Sequence, residues 1–247
     1  MTAPNHNAPS GARVSQTSGS RAPEVVYEDE WLLAANKPAG LIVHGDGTGA
    51  PTLTEAVRAH LMGEGREQAA VQLQAVQRLD AETTGLVLFS LDKTVQPALD
   101  ALVASHDGIE KRYLAIVRGE VPESLRVIDA AIARDRHDAR RMRVDARSGK
   151  PSRTRVRLLG VTGPRRARLS LLELTLETGR RHQIRVHLAS LGYPIMGDSL
   201  YGVPADRGGR TPLMLHAVAE TLAHPVTGER LELFVPYPER YSVYFPR

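Results

Sequence analysis

Three polar segments of this 247-residue chain contain residue types that could carry chemistry. In the first segment, residues 77–86, Arg78 and Asp80 stand two positions apart, just ahead of the apolar run 86–89. Polar loops that lead into a rigid strand often hold reactive side chains. A carboxylate in such a loop can act as a nucleophile or a base, whereas a local ion pair within a turn is the simpler interpretation.

The second and third segments add an aromatic ring and a cluster of arginines. Residues 111–119 predict a strand containing Tyr113, whose ring suits either the protein core or stacking on a nucleic-acid base. Residues 179–188 hold Arg181 and Arg185 one helical turn apart. Their guanidinium groups could bind phosphates or a carboxylate, although a capped surface helix would also explain the pattern.

Taken in this order, the three segments resemble the signature motifs of the RluA-type pseudouridine synthases. The first is similar to the family's His-Arg-Leu-Asp-x-x-Thr-Ser-Gly motif, the second to its Lys-x-Tyr-x-Ala-x-Val-x-Gly strand, and the third to its Gly-Arg-x-His-Gln-Ile-Arg-Val-His motif. Further similar stretches are residues 36–40, 192–202, 215–217 and 224–225. The ordered set extends from about Val25 to the C-terminus and identifies the chain as a member of this family.

Two positions depart from the family pattern. Gln77 stands where the family usually has His, and Thr84 where it usually has Ser. Neither change removes Asp80, but Gln77 is expected to alter the hydrogen bonding that holds the loop and so to bear on substrate choice. The segment before Val25 is too short for the S4 RNA-binding module that is frequent in the family, so we expect none.

The resemblance implies a reaction and its catalytic residues. The family breaks the N-glycosidic bond of a uridine in RNA, rotates the base and rejoins it through C5, without a cofactor or a metal. Asp80 is then the essential carboxylate, acting as a nucleophile at the sugar C1′ or at the base, or as a base that forms a glycal-like intermediate. Tyr113 stacks on the uracil and helps to remove the C5 proton, and Arg185 is the cation beside Asp80.

The resemblance also implies how the RNA is bound. The target base must be flipped out of its helix, and Arg78 is placed by the motif to fill the vacated space or to hold the flipped nucleotide's phosphate. The other residues that we assign to RNA binding are Leu215, Arg134, Arg140 and Arg141.

Positive charge is concentrated in one part of the sequence. Between Arg134 and Arg168 there are twelve arginines, one lysine and three aspartates, a net charge of +10 in a chain whose net charge is +4. Such a block can bind phosphates along one face, although a solvated surface would have the same composition. We expect it to hold the RNA around the target nucleotide through contacts that are not sequence-specific.

Composition restricts the remaining possibilities. The hydrophobic fraction is 42%, and no apolar run is long enough for a transmembrane helix or a secretory signal. Cysteine is absent, which excludes disulfides, thiolate catalysis and cysteine-ligated zinc. We expect a cytoplasmic monomer with no membrane association and no obligate protein partner.

The elements that position these residues follow from hydrophobic periodicity. A disordered tail is predicted for residues 1–23 and one catalytic domain for residues 24–247. Strands are predicted at residues 25–27, 31–35, 41–44, 86–89, 111–117, 153–158, 169–176 and 231–235. Helices are predicted at residues 53–61, after a capping box, and at 92–105 and 182–191. The fold class is α+β, with a large mixed, mainly antiparallel central sheet flanked by helices.

Other functions fit the sequence less well. Residues 45–50 match a G-x-G-x-x-A dinucleotide-binding pattern but lack its βαβ context. His182 and His187 are poorly spaced for a metal site on one helix, and no G-x-S-x-G elbow supports a serine hydrolase. The main alternative is a non-catalytic RNA-binding or ribosome-assembly protein on this fold, against which the retained aspartate, tyrosine and arginine argue.

RNA is therefore the expected partner. Residues 43–47 look more like the family branch that acts on large-subunit ribosomal RNA, so 23S ribosomal RNA is the predicted substrate and transfer RNA the second candidate.

Overall fold

A computed structural model describes most of the chain. The described residues are 22–45, 47–105, 108–208 and 211–246. The tail predicted for residues 1–23 lies outside them, apart from its last two positions. In these ranges no helix combines the length and the apolar character needed to cross a bilayer.

Twelve strands are present in the described residues. They are β1 (Glu24–Glu28), β2 (Leu32–Lys37), β3 (Gln74–Ala75), β4 (Thr84–Ser90), β5 (Ile109–Arg118), β6 (Val127–Asp129), β7 (Ile132–Arg134), β8 (Met142–Val144), β9 (Arg153–Thr162), β10 (Leu169–Leu176), β11 (Leu215–Ala223) and β12 (Arg230–Phe234). Ten of them form one sheet in the order β1-β2-β4-β11-β5-β10-β9-β6, with β3 beside β4 and β12 beside β11. Strands β4 and β11 are parallel and the other neighbours antiparallel, which confirms the predicted sheet. Strands β7 and β8 form a separate hairpin.

The helices of the described residues flank this sheet. They are α1 (Leu53–Gly63), α2 (Glu67–Gln72), α3 (Gln96–Ala104), α4 (Gln183–Ser190) and α5 (Glu239–Ser242). The predicted capping box of α1 is present, because Thr52 Oγ1 accepts the Glu55 N–H and the Glu55 carboxylate accepts the Thr52 N–H. Helix α3 begins four residues later than predicted, because the Asp92 carboxylate accepts the Thr94 N–H in a turn.

The strand predicted at residues 41–44 is wrong. In this segment only Ile42 forms a bridge, an isolated one to Thr52. The carbonyls of Ile42 and Val43 accept hydrogen bonds from the Leu53 and Thr54 amides, so the segment satisfies donors in the first turn of α1. The neighbouring glycine-rich stretch lies in the loop before α1, and its Asp46 lies outside the described residues.

Strands β4 and β11 approach each other closely at Gly85. This residue has φ +114°, and a Cβ atom there would lie 2.1 Å from the carbonyl oxygen of Ala217. Only glycine fits this backbone. The close approach fixes the beginning of β4, and therefore the end of the loop that carries Asp80.

One face of the sheet packs against α4. Tyr113 is paired with Leu174 and Ala217 on the neighbouring strands, and Leu174 with Val156. On the same face of β9, Thr154 hydrogen-bonds His187 of α4 at 3.0 Å. This packing brings a strand tyrosine and the arginine of α4 to the same side of the sheet.

Candidate active site

An open cleft of about 1250 Å³ lies between the loop ahead of β4, strand β5 and the N-terminal end of α4. Six of the eight site residues predicted from the sequence line it: Arg78, Asp80, Tyr113, Arg140, Arg185 and Leu215. The cleft therefore brings together segments that are far apart in the chain.

Asp80 lies in the loop between β3 and β4, with its side chain 28% exposed. Its Oδ2 accepts a hydrogen bond from Arg185 Nη1 at 3.1 Å, and its Oδ1 lies 3.7 Å from His182 Nε2. The ion-pair partner of Asp80 is thus an arginine 105 residues away, and the interpretation of this segment as a turn with a local ion pair is wrong.

Buried Lys37 holds the backbone of this loop. Its Nζ donates to the carbonyls of Pro38, Leu41 and Ala81 at 2.9, 2.7 and 2.9 Å. Burial lowers the pKa of Lys37 to about 8, although attraction to Asp80 opposes this shift. The backbone next to Asp80 is consequently attached to the turn that follows β2. Sequence analysis identified residues 36–40 as similar to the family but assigned no role to Lys37.

Arg185 is buried among carboxylates. It donates through Nε and Nη2 to both oxygens of Asp198 at 2.8 Å, and Nη2 lies 3.4 Å from Glu82. Burial lowers the pKa of Arg185, but the hydrogen bonds and attraction of Asp198, and then of Asp80, outweigh burial and raise it. Asp198 is fully buried and also accepts the Leu200 and Tyr201 amides. It was not predicted as a site residue, although it lies within the similar stretch 192–202.

Strand β5 places Tyr113 at the cleft. The side chain is largely buried, and burial, followed by repulsion from Glu220 and Asp80, raises its pKa. The phenol is therefore neutral at physiological pH. A neutral ring at the wall of the cleft can stack on a base.

Gln77 connects the Asp80 loop to β11. Its amide donates to the buried carboxylate of Glu220. Burial raises the pKa of Glu220 to about 7, against opposing contributions from Lys111 and Gln77. Within the described residues, Gln77 Oε1 and Glu220 Oε2 have no hydrogen-bond partner. Glu220 could not be recognised as a functional residue from the sequence, since it is a single acidic residue within a strand.

Thr84 keeps a hydroxyl group at the position where the family usually has Ser. Its Oγ1 accepts a hydrogen bond from Arg240 at 2.7 Å and lies 2.8 Å from His216 Nδ1. The hydroxyl therefore joins β4 to β11 and to α5.

The predicted RNA-binding residues lie at different distances from the cleft. Arg78 and Arg140 are exposed at its rim, whereas Leu215 is buried in its wall. Arg141 places its guanidinium 5.1 Å from the centre of the Tyr201 ring. Arg134 is exposed on β7 and is not among the residues that line the cleft.

The basic block is divided between two surfaces. Its first part is the β7–β8 hairpin, which borders the cleft through Arg140. Its second part lies on the face of β9 that points away from Thr154 and α4. The arginines of that face are Arg153, Arg155 and Arg157, which pair with Glu177 or Glu173. The arginines of β9 are thus not among the residues that line the cleft, and the contact of the block with RNA stays a prediction.

Comparison with known proteins adds a second line of observation. The profile of a family described as RNA pseudouridylate synthase matches residues 32–190. The chain is 38% identical over 225 residues to ribosomal large subunit pseudouridine synthase D of Nitrosomonas europaea. This alignment covers 87% of this chain and 62% of that protein. The chain is also 36% identical over 233 residues to tRNA pseudouridine synthase C of Yersinia pestis. This second alignment covers 89% of this chain and 88% of that protein.

The fold is also similar to that of a solved pseudouridylate synthase structure. Human RNA pseudouridylate synthase domain containing 1 superposes with a TM-score of 0.70 at 27% identity, over 91% of this chain and 87% of that one. The chain spans 62–68% of the length of three of its curated relatives.

Proposed function

The chain belongs to the RNA pseudouridylate synthase family, and on this premise we propose that it converts uridine to pseudouridine in RNA with Asp80 as the essential carboxylate. The observation that carries the proposal is the position of Asp80. Its carboxylate is held at the cleft by a buried guanidinium, and Tyr113 lines the same cleft. A carboxylate that is both oriented and accessible suits a nucleophile or a base.

The reaction exchanges one bond for another within the nucleotide. The bond between N1 and C1′ breaks, a bond between C5 and C1′ forms, the C5 hydrogen leaves as a proton, and N1 gains a proton. Asp80 attacks C1′ or the base, or removes a proton from the sugar. Tyr113 stacks on the uracil and assists loss of the C5 proton, and Arg185 balances the charge of Asp80 throughout.

Access to the cleft requires that the target nucleotide leaves its helix. Unstacking a base costs a few kcal/mol, which contacts elsewhere on the RNA must offset. Arg78 at the rim is suited to fill the vacated space, and the hairpin arginines are suited to bind flanking phosphates.

Large-subunit ribosomal RNA is the substrate that we propose. The support is the similarity to a synthase named for the ribosomal large subunit, together with the resemblance of residues 43–47 to that branch. Transfer RNA is the second candidate. A specific observation favours it, since the relative named for tRNA matches over nearly its whole length.

Tritium release from RNA labelled at uridine C5 tests the proposal, because isomerisation must expel the C5 hydrogen. Ribosomal RNA and a transfer RNA pool are assayed separately with wild type, Asp80→Asn and Asp100→Asn. Asp100 is the matched control, since it is exposed on α3 and does not line the cleft. We expect release by wild type and Asp100→Asn but none by Asp80→Asn, and the RNA that responds identifies the substrate.

Two outcomes contradict the proposal. Folded wild-type protein that binds RNA without releasing tritium would support the non-catalytic RNA-binding alternative. Undiminished release by Asp80→Asn would assign the chemistry to another residue.

A further inference from the structure

His182 has an unusual backbone conformation beside Asp80. It is the only non-glycine residue with positive φ among the described residues, with φ 56° and ψ 20°, and it directly precedes α4. A non-glycine residue keeps this conformation only where its surroundings require it, and such residues concentrate at functional sites. Here the side chain is 7% exposed, and its Nε2 lies 3.7 Å from Asp80 Oδ1.

The hydrogen bonds around Tyr201 favour one tautomer of His182. The Met142 backbone N–H donates to the Tyr201 hydroxyl oxygen at 2.7 Å. The phenol hydrogen is then available for His182 Nδ1, which lies 2.8 Å from the same oxygen. A neutral imidazole that accepts at Nδ1 carries its hydrogen on Nε2. That hydrogen is on the side of the ring that faces Asp80.

We propose that His182 is a positioning residue for Asp80, and that the chain of donors Met142, Tyr201 and His182 fixes its Nε2–H tautomer. The Nε2–H of His182 then faces Oδ1 of Asp80 across 3.7 Å while Arg185 Nη1 donates to Oδ2 at 3.1 Å, so each carboxylate oxygen has a donor on its side. The inference rests on the proposed function, in which Asp80 carries the reaction.

The protonation state of His182 agrees with an imidazole that accepts a hydrogen bond from Tyr201. Burial lowers the pKa of His182, and repulsion from Arg185 and Arg181 adds to burial against the attraction of Asp80. The ring is therefore neutral near pH 7, which leaves Nδ1 free to accept from Tyr201.

The chain of donors begins on the β7–β8 hairpin. Met142 is the first residue of β8, and the preceding Arg141 covers one part of the Tyr201 ring at 5.1 Å, while Arg185 lies 5.4 Å from the ring centre. The orientation of Asp80 thus depends on the docking of the same hairpin that carries arginines suited to RNA.

The first test reads the tautomer directly and needs no RNA. Imidazole ¹⁵N chemical shifts are recorded on full-length protein labelled at histidine, and the His182 signals are assigned by their loss in His182→Asn. We expect a protonated Nε2 and an unprotonated Nδ1 at pH 7. A protonated Nδ1, or an equal mixture of the two tautomers, would overturn the inference.

The second test separates positioning from folding and from RNA binding. Single-turnover tritium release and the RNA dissociation constant are measured for Tyr201→Phe, His182→Asn and the double variant. Asparagine tolerates the left-handed backbone at position 182. Tyr27→Phe and His60→Asn are the matched controls, because both residues lie outside the cleft lining.

We expect each single variant to slow release roughly 10- to 100-fold, as for a misplaced reacting group, with the dissociation constant unchanged. The double variant should be no slower than the slower single variant, because both act through one chain of contacts. Normal rates, a loss confined to RNA affinity, or losses that multiply would each overturn the inference. Wild type without release would instead contradict the proposed function, and the tautomer measurement on wild type decides the inference where a variant does not fold.

Discussion

At the scale of single residues, Arg185 binds two carboxylates whose environments differ. Asp198 is fully buried and has to be neutralised, whereas Asp80 is partly exposed and has to stay accessible. The planar guanidinium can do both, because its Nε and Nη2 bind Asp198 while Nη1 remains for Asp80. A lysine ammonium at the same position carries the charge but cannot reproduce this geometry.

Arg185→Lys should therefore reduce both stability and activity. We expect a loss of about 1–3 kcal/mol in the free energy of unfolding, from denaturant titration, and a fall in the single-turnover rate of roughly 100-fold. Arg118→Lys is the matched control, because Arg118 binds Asp206 in the same two-bond manner at 2.7 and 2.6 Å, outside the cleft lining. Its stability should fall by less, because the Arg118 side chain is 34% exposed, while its rate remains normal; equal rate losses in both variants would contradict the prediction.

Glu220 makes a pH-dependent contribution to stability. Its pKa in the folded protein is about 7, raised from an ordinary value of 4.5, so the folded state binds the proton more tightly than the unfolded chain does. The stabilising effect is complete below about pH 4.5 and is lost as the pH rises through about 7. A shift of this size corresponds to roughly 3 kcal/mol of unfolding free energy between those limits.

Glu220→Gln should remove this dependence. The variant keeps the shape of the side chain and a hydrogen-bonding group for Gln77, but it has no proton to lose. We expect the unfolding free energy of the variant to exceed that of wild type at pH 8 and the difference to vanish towards pH 5. Glu110→Gln, an exposed residue of β5, is the control and should follow wild type. Parallel pH profiles for Glu220→Gln and wild type would show that the carboxylate is already ionised at pH 5.

At the scale of elements, the junction of β4 and β11 determines where the Asp80 loop ends. Gly85→Ala places a methyl group against the Ala217 carbonyl and also requires a positive φ at a residue that disfavours it. We expect a loss of roughly 1–3 kcal/mol in unfolding free energy, together with reduced activity. Gly63→Ala is the control, since no atom lies within 4 Å of its Cβ position. If both variants were as stable as wild type, the close approach of the strands would not be required.

The elements with strong periodicity could be predicted from the sequence. The alternation of residues 153–158 and 169–176 indicated β9 and β10, and the capping box of Thr52 and Glu55 indicated α1. The run 41–44 was assigned to a strand because three consecutive apolar residues are typical of a short strand. They fit a loop equally well, and only a pairing partner would distinguish the two. Strand β11 was not predicted, since buried polar residues such as Glu220 interrupt its apolar pattern.

The site could be predicted only in part. The resemblance identified Asp80, Tyr113 and Arg185, which the fold brings to one cleft. Lys37 and Glu220 were assigned no role, because their contacts join segments far apart in the chain: Lys37 to Ala81, and Glu220 to Gln77. Sequence spacing contains no information about such contacts, which depend on the order of strands in the sheet.

At the scale of the whole molecule, the distribution of charge matters more than the net charge of +4. The β7–β8 hairpin borders the cleft through Arg140, whereas the arginines of β9 are not among the residues that line the cleft and are paired with glutamates. Paired, exposed arginines away from the cleft contribute little to binding at the cleft, because their charge is compensated locally and screened by salt. Only part of the basic block is then expected to contact the RNA that enters the cleft.

The salt dependence of RNA binding tests this division. Each phosphate contact contributes about 0.7 to 0.9 to the slope of log affinity against log salt concentration. We expect Arg134→Ala/Arg140→Ala to reduce that slope by roughly 1 to 2, measured by filter binding from about 50 to 200 mM salt. Arg157→Ala/Arg166→Ala removes the same charge from the part of the block that lies outside the β7–β8 hairpin and should leave the slope unchanged. Equal slopes for the two double variants would mean that the RNA extends over both surfaces, and that the paired arginines of β9 exchange their glutamate partners for phosphates.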